Sequence, residues 1–246
     1  MVRQGKEKKE LMTNVSDNMR QILVDWLVDV HQSFELKEQT LYLTFAYLNA
    51  YCARQEVSKH DYQLVGISCL WIASKYEEIY PPRMQNYIQV TDCSYSANEL
   101  KAMESKILSQ LSFNLNHVTP LVLLQAASEK WPKDKRGKLT KESERTLSMC
   151  KYLLELALFE NLGKEYCMRT LVQGAMMLSD SVLKVKTDSS GLDCGRVEKE
   201  TAMKCFKEMC LALQNASRPA LKLRAIKKKY AEEKYQGVSR FRIETR

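Results

Sequence analysis

The sequence has few of the residues that form turns, with only 8 Gly and 5 Pro among 246 residues. Because a β-sandwich needs a turn about every 8–12 residues, this composition excludes a many-stranded sandwich and favours helices. No apolar run approaches the roughly 18–20 residues that span a bilayer. The charged N-terminus, MVRQGKEKKE, lacks the apolar stretch of a secretory signal peptide. Hydrophobic residues still make up 45% of the chain, which is enough for a substantial core.

Signatures of catalysis and metal binding are also missing from the sequence. It contains no glycine-rich phosphate-binding motif and no CxxC pair. The histidines are His31, His60 and His117. None has a partner at metal-ligand spacing, and we interpret them as helix-end or surface residues. Cys69, Cys150 and Cys205 lie in apolar stretches, where cysteine acts as a small buried hydrophobic residue. We therefore expect a reduced, intracellular protein that is not an enzyme and holds no metal or cofactor.

Positive charge is concentrated at the C-terminus. The chain carries 38 Lys and Arg against 30 Asp and Glu, and residues 217–246 hold 10 of the former and 3 of the latter. Such a tail can bind nucleic acid or an acidic partner. Apolar residues such as Leu221, Ile226 and Tyr230 alternate with the charges, and this pattern favours a solvated amphipathic helix.

Periodic segments predict two successive groups of helices. The first group comprises Asn18–Gln32, Glu38–Ala53, Ser58–Tyr76, Arg83–Val90 and Ser96–Leu111. The second comprises Leu121–Lys130, Lys141–Phe159, Glu165–Val185, Val197–Asn215 and a terminal helix at Arg218–Lys234. Local signals support several ends: Pro81-Pro82 stops the third helix, Ser96 and Glu99 form a capping box, and Pro120 suits a first helical position. We expect an all-α fold with a duplicated five-helix unit.

The first predicted helix contains the segment MRQILVDWLVDV, whose apolar side chains cover an arc of roughly 240°. Because a helix that only covers a core needs little more than about 100°, this one is either central to its bundle or carries a second, exposed apolar face. Arg20 points into the middle of the arc. A buried guanidinium must find acceptors, so we expect a carboxylate or amide partner from a neighbouring helix.

This segment closely resembles the opening of the cyclin box in A- and B-type cyclins, and LVGISCLWIASKYEEIYPP resembles its third helix and exit. The similarity continues in YIQVTDCSYSANELKAMESKILSQLSFNL and returns in IKKKYAEEKYQGVS. It is strong over about residues 12–120, weak in the second half, and present again in the tail. The resemblance implies two tandem five-helix cyclin boxes, at 18–117 and 118–216, with short flanking helices at 1–17 and 217–246.

The resemblance also implies a function. Such a protein would be a non-catalytic subunit that binds and activates a cyclin-dependent protein kinase in cell division and mitosis, acting in the nucleus and cytoplasm. It would move the C-helix of the kinase so that the Glu of that helix can pair with the phosphate-holding Lys. No membrane or nucleic-acid partner is expected.

Individual residues match the kinase-binding surface of the family. Lys75 and Glu104 correspond to a charged pair that hydrogen-bonds to the kinase. The corresponding apolar contacts are Leu64, Tyr76, Leu108, Phe113 and Leu115. The sequence pattern alone places Lys75 and Glu104 at the edges of apolar helix faces, where solvated residues also occur.

A second set matches the patch where cyclins dock substrates and inhibitors that carry an Arg-x-Leu motif. Its members are Met19, Ile22, Leu23, Trp26, Asp29 and Gln63. An apolar groove would hold the Leu and an acidic side chain the Arg. Asp29 stands where Glu is more usual, which shortens its reach by one methylene. Asn49 replaces the Asp that commonly pairs with Arg20, so it can accept a hydrogen bond but cannot neutralise the charge.

Other functions remain open at this stage. A cyclin-fold transcription factor would bind DNA with a steep salt dependence, and the basic C-terminus favours it. That reading does not explain the KYEEIYPP exit or the MRQILVDW opening. The KYQGVS tail argues against a transcriptional cyclin. A scaffold cyclin that binds a kinase without activating it is compatible with Asn49.

Overall fold

The computed structural model describes residues 15–187, 196–218 and 224–241. Within these ranges the chain forms ten α-helices and no strands. The first five are α1 (Asp17–Ser33), α2 (Glu38–Cys52), α3 (Tyr62–Glu77), α4 (Met84–Gln89) and α5 (Ala97–Gln110). The others are α6 (Pro120–Ser128), α7 (Lys141–Phe159), α8 (Met168–Leu183), α9 (Arg196–Ala216) and α10 (Ala225–Lys229). The predicted all-α class is confirmed. No helix in the described ranges is long and apolar enough to cross a membrane.

Side-chain caps fix where several helices begin. The Ser16 hydroxyl accepts a hydrogen bond from the Met19 amide at the start of α1. The capping box predicted for α5 is present, with the hydroxyl of Ser96 and the carboxylate of Glu99 each bonded to the other's backbone. Thr119 caps α6, and Pro120 is its first residue. Each cap satisfies an amide that has no partner within its own helix.

Helix α3 runs through the centre of the first half and is buried over most of its length. It packs against α1, α2 and α5. A Cβ atom added at Gly66 would lie 3.0 Å from the terminal methyl carbons of Leu23. The glycine therefore allows α1 to cross α3 closely at Leu23.

Helix α1 is central to the whole molecule because it packs against α3, α7 and α10. The Gln21 amide donates at 3.3 Å to the carboxylate of Glu160, the residue that directly follows α7. A second link between the halves is the ion pair of Lys151 and Glu38, at 2.6 Å. Because neighbours surround α1, its wide apolar arc is mostly buried. Of the two alternatives that the sequence left open, a helix central to its bundle therefore describes most of this arc.

The C-terminal segment differs from the prediction. Residues 219–223 of the predicted helix lie outside the described residues, and α10 covers only Ala225–Lys229, followed by single turns at Glu233–Tyr235 and Val238–Arg240. One of its charged side chains is also buried, since Lys229 is 1% exposed. The prediction of a long solvated helix is wrong because this segment folds back as short turns onto α1 and α7.

The three histidines occupy different environments. His31 lies in the last turn of α1, as predicted, but it is buried and not at the surface. His60 is exposed, whereas His117 is partly buried against the Tyr47 ring, with 5.6 Å between ring centroids. The predicted burial of Cys69, Cys150 and Cys205 is confirmed, since each is 0% exposed.

Candidate functional site

Lys75 and Glu104 form an ion pair on the surface where α3 and α5 meet. Lys75 lies in the last turn of α3, and its ammonium group sits 3.7 Å from the centroid of the Trp71 ring. The side chains are 38% and 17% exposed. Surface ion pairs contribute little to stability, at most about 1 kcal/mol. The pair therefore presents a hydrogen-bond donor and an acceptor at one point without a large structural role.

The five apolar residues predicted around this pair have different exposures. Tyr76 and Phe113 are exposed, and Leu108 and Leu115 are partly buried. Leu108 lies one turn after Glu104 on α5, on the same helix face. Leu64 lies on the same face of α3 as Lys75 but about three turns earlier, and it is 6% exposed in the core. Tyr76 follows Lys75 directly and is exposed, Phe113 is exposed in the turn after α5, Leu108 and Leu115 are partly buried against the core, and Leu64 is not exposed.

Further apolar residues that were not predicted from the sequence are also exposed. Ile79 and Tyr80, in the exit from α3, are 79% and 91% exposed, and Val118 and Val122 are also exposed. The signal was available in YEEIYPP, because apolar residues directly before two prolines cannot lie on a continuing helix. A cluster of exposed apolar side chains marks an interaction site more often than scattered ones do.

The start of α2 holds these exposed segments together. The Glu78 carboxylate accepts hydrogen bonds from the Lys37 amide at 2.8 Å and from the Thr40 hydroxyl at 2.5 Å, which fixes the α3 exit. The Thr119 hydroxyl donates to Gln39 at 2.8 Å, which fixes the segment after Val118. The exit and the segment before α6 therefore flank one surface. We call it the α3–α5 surface, and its residues are Lys75, Tyr76, Ile79, Tyr80, Glu104, Phe113 and Val118.

The turn that carries Phe113 has an unusual backbone. Ser112 and Phe113 have φ values of 50° and 55°, in the left-handed region. A bulky residue rarely adopts this conformation, and such strained positions are concentrated at functional sites. The turn follows α5 directly, and the Phe113 amide donates back to the Leu108 carbonyl at 2.9 Å.

A second surface lies where α1 crosses α3. Ile22 is 49% exposed, Asp29 is also exposed, and Met19, Trp26 and Gln63 are partly buried. Leu23 is buried beneath them against Gly66, so it forms the floor and is not itself exposed. We call this surface the α1 patch, and its exposed and partly buried residues are Met19, Ile22, Trp26, Asp29 and Gln63. The acidic side chain of Asp29 here lies on the same helix face as the exposed Ile22.

Arg20 connects α1 to α2. Its side chain is 8% exposed and donates through Nη1 to the Asn49 amide oxygen at 3.0 Å. The expected amide partner from a neighbouring helix is therefore confirmed. The Nε atom of Arg20 is buried and has no hydrogen-bond partner in the described part of the chain.

The buried thiols are not suited to nucleophilic chemistry. Burial raises the pKa of the Cys150 and Cys205 thiols to about 12 and that of Cys52 to about 11. The reactive thiolate therefore does not form at neutral pH. Among the residues that the structure describes, no group of three His, Cys, Asp or Glu side chains is arranged to hold a metal ion.

Comparison with protein families gives two matches that together cover most of the chain. The model of the cyclin N-terminal domain matches residues 3–116, and that of the cyclin C-terminal domain matches residues 118–244. The "G2/mitotic-specific cyclin-B" of Marthasterias glacialis is 34% identical over 96% of this chain and 59% of its own length. The "G2/mitotic-specific cyclin-B2" of Bos taurus is 34% identical over 92% and 55%. The "G2/mitotic-specific cyclin-A" of Patella vulgata is 32% identical over 92% and 51%.

The chain spans little more than half the length of these relatives. Among solved structures, it is similar to a viral cyclin from herpesvirus saimiri, with a TM-score of 0.67, 17% identity and coverage of 82% of this chain and 89% of that one. It is also similar to a chain of the CAK complex of Chaetomium thermophilum bound to ATP-gamma-S, with a TM-score of 0.58, 12% identity and coverage of 94% and 75%. At these identities the structural likeness concerns the fold.

Proposed function

Because the chain belongs to the cyclin family, we propose that it binds and activates a cyclin-dependent protein kinase in cell division. Cyclins are regulatory subunits and not enzymes, so no residue here is given a catalytic role. The observation that carries the proposal is the α3–α5 surface, where exposed aromatic and aliphatic side chains surround the pair of Lys75 and Glu104. Action in mitosis, in the nucleus and cytoplasm, stays a prediction.

The chemistry of the α3–α5 surface fits a helix of a partner protein. Tyr76, Tyr80 and Phe113 offer aromatic area, the residue type that contributes most at interfaces. The Lys75 ammonium can donate to carbonyl groups at a helix end, and the Glu104 carboxylate can accept from amides. Both charges lose water when the surface is covered, so they must be matched by hydrogen bonds of the partner, which gives the contact its specificity. Holding the C-helix of the kinase in place completes the Lys–Glu pair that phosphoryl transfer needs.

We further propose that the α1 patch docks substrates and inhibitors that carry an Arg-x-Leu motif. Ile22 and Trp26 would contact the Leu, and Asp29 would pair with the Arg. The shorter reach of Asp29 predicts a motif preference that differs from that of relatives with Glu. A competition experiment tests this: an Arg-x-Leu peptide should inhibit phosphorylation of a motif-bearing substrate and should lose that effect in the Ile22→Ala/Asp29→Asn variant.

Kinase activation is tested by mixing the chain with an inactive monomeric cyclin-dependent kinase and measuring histone phosphorylation. We expect activation by the unmodified chain and a loss of at least about tenfold in Lys75→Ala/Glu104→Ala, since both hydrogen bonds to the kinase are removed. Lys59→Ala/Glu129→Ala is the matched control, because it removes one exposed lysine before α3 and one exposed glutamate after α6, and neither belongs to this surface. Equal activation by the two double variants would contradict the roles of Lys75 and Glu104. Binding without activation would indicate a scaffold cyclin.

A further inference from the structure

The exit from α3 places two large apolar side chains in solvent. Ile79 and Tyr80 are 79% and 91% exposed, so packing against the core does little to hold them. Pro81 and Pro82 follow directly, and a proline has no backbone amide with which to donate a hydrogen bond. The course of this segment therefore depends on the polar contacts made where it leaves the helix.

The start of α2 supplies those contacts. The Lys37 ammonium group donates to the Glu77 carbonyl at 2.7 Å, and the Lys37 amide donates to the Glu78 carboxylate at 2.8 Å. The Thr40 hydroxyl donates to the same carboxylate oxygen at 2.5 Å. Hydrogen bonds to an ionised carboxylate are stronger than those between neutral groups. Glu78 is the first residue after α3 and has an extended backbone, with φ −89° and ψ 143°, so its position sets the direction of the exit.

The donor side of this contact is itself held firmly. The Thr40 amide donates to the Lys37 carbonyl at 3.0 Å, and the Thr44 hydroxyl donates to the Thr40 carbonyl at 2.7 Å. Around them, α2 packs against α3, α5 and α6. Because Thr40 is part of a packed helix and Ile79 is not, the bond to Glu78 holds the exit against α2.

Burial separates the role of Thr40 from that of a contact residue. Its side chain is 0% exposed, so it has no surface that a partner protein can touch. Lys37 is exposed and Glu78 is partly exposed, and a partner can reach both. Any effect of the Thr40 hydroxyl on partner binding must therefore pass through Glu78 and the exit.

We propose that Thr40 is a positioning residue of the α3–α5 surface, which holds Ile79 and Tyr80 where the kinase meets them. This inference rests on the kinase-binding function proposed above. A surface that is already ordered in the free chain avoids part of the entropic cost of binding. When only a fraction of the molecules has the exit in place, the apparent affinity falls by that fraction.

Hydrogen exchange of the free chain, followed by mass spectrometry, tests whether Thr40 holds the exit. The last turn of α3 contains the bond from the Glu78 amide to the Ser74 carbonyl, at 2.9 Å. Thr40→Val keeps the shape of the side chain but removes the donor, so we expect exchange in this turn to be at least about threefold faster. Thr40→Ser keeps the donor and should restore slow exchange. Circular dichroism checks the fold of each variant.

Thr44→Val is the matched control. Thr44 lies one turn later on α2, is also 0% exposed, and its hydroxyl donates within its own helix. Replacing it reproduces the loss of a buried threonine hydroxyl from α2 without touching Glu78. We expect exchange in the last turn of α3 to change by less than about twofold in this variant.

Affinity for an inactive monomeric cyclin-dependent kinase, measured by calorimetry, tests the consequence for binding. We expect Thr40→Val to weaken binding at least about threefold, and Thr40→Ser and Thr44→Val to change it by less than about twofold. Ile79→Ala/Tyr80→Ala removes the side chains that the exit presents. In that background Thr40→Val should have little further effect, because the groups that Thr40 positions are gone.

The two measurements distinguish the possible failures. Unchanged exchange in Thr40→Val would overturn the proposal, and so would faster exchange with unchanged kinase affinity. An equal loss of affinity with and without the Ile79 and Tyr80 side chains would show a general loss of stability and would also overturn it. Absence of kinase binding by the unmodified chain would contradict the proposed function and the inference that rests on it. The exchange rates need no kinase, so they separate that result from a failure of the Thr40 contact.

Discussion

At the scale of single residues, His31 is held in an environment that opposes its protonation. Burial, together with the smaller effect of the charges of Lys229 and Lys234, lowers the pKa of its imidazole to about 4. The Lys37 carbonyl opposes this effect slightly by accepting from Nε2 at 2.8 Å. His31 is therefore neutral in the folded chain at physiological pH.

This environment makes stability depend on pH. The unfolded chain takes up a proton at His31 near pH 6.5, whereas the folded chain does so only near pH 4. Below about pH 6.5 the unfolded state binds more protons, so the free energy of unfolding falls as the pH is lowered. Between about pH 7 and pH 5 we expect protonation of His31 in the unfolded state to lower the free energy of unfolding by about 2 kcal/mol. Urea unfolding at the two pH values measures this change.

The His31→Gln variant isolates that contribution. Burial raises the pKa of Asp25, Glu160 and Asp180, and these carboxyl groups act in the opposite direction because the folded state protonates first. They are unchanged in the variant, so the difference between the two pH profiles reports His31. Parallel profiles for the two proteins would show that His31 is not protonated preferentially on unfolding.

The Arg20–Asn49 contact predicts a stabilising substitution. Arg20 is buried, and the acceptor that Asn49 offers it is neutral. An Asp at position 49 would make the hydrogen bond charge-assisted, so we expect Asn49→Asp to raise the free energy of unfolding by about 1 kcal/mol. Asn114→Asp, at another exposed position, is the control for the added negative charge. A gain of equal size in both variants would mean that net charge, and not the contact, is responsible.

Individual side-chain environments were the hardest features to predict. Arg20 could be assigned a partner, because its position on an apolar face requires one. The basic C-terminal segment was interpreted as a solvated amphipathic helix, yet its Lys229 follows Ile226 by three residues and Ala225 by four, on the buried face of α10. The periodicity contained this signal, but the charge of the run obscured it.

At the scale of elements, α10 is attached to α7 by a fully buried ion pair. Lys229 and Glu155 are each 1% exposed, and Tyr230 donates to the same carboxylate oxygen. The other oxygen of Glu155 and the hydroxyl of Tyr42 are buried without a hydrogen-bond partner in the described residues. Burial of two charges is costly unless both are paired, so the pair fixes the position of α10 more than it adds stability.

Removing one partner should therefore be far worse than removing both. We expect Lys229→Met to lower the free energy of unfolding by about 3–5 kcal/mol, because Glu155 stays buried and uncompensated. Lys229→Met/Glu155→Leu should recover much of that loss. Lys228→Met, at the exposed neighbouring position, should change stability by less than about 0.5 kcal/mol. Equal losses in the single and double variants would contradict this account.

Most helices were predictable because caps, prolines and apolar periodicity act locally. The predicted bounds of α7 agree with the structure, and those of α1 and α2 differ by one residue. The α10 region was predicted poorly because its shape depends on docking into α1 and α7, contacts that no local pattern encodes.

At the scale of the whole molecule, the two halves share one junction. Helix α1 contacts α3 in the first half and α7 in the second, and Lys151 pairs with Glu38 across the halves. The partners across the two halves, α1 with α7 and Glu38 with Lys151, are more than a hundred residues apart, so no spacing in the sequence could reveal them. The resemblance to a family implied two units, and the structure adds that α1 and α10 join them.

This junction predicts that both halves unfold together. The tryptophans are distributed so that each half can be followed, with Trp26 and Trp71 in the first and Trp131 in the second. Trp131→Phe leaves reporters only in the first half, and Trp26→Phe/Trp71→Phe leaves one only in the second. Because unfolding either half would expose the apolar face of α1, we expect urea midpoints from fluorescence to coincide with those from circular dichroism in each variant. If the halves unfolded independently, the midpoints measured by the two methods would differ in at least one of the variants.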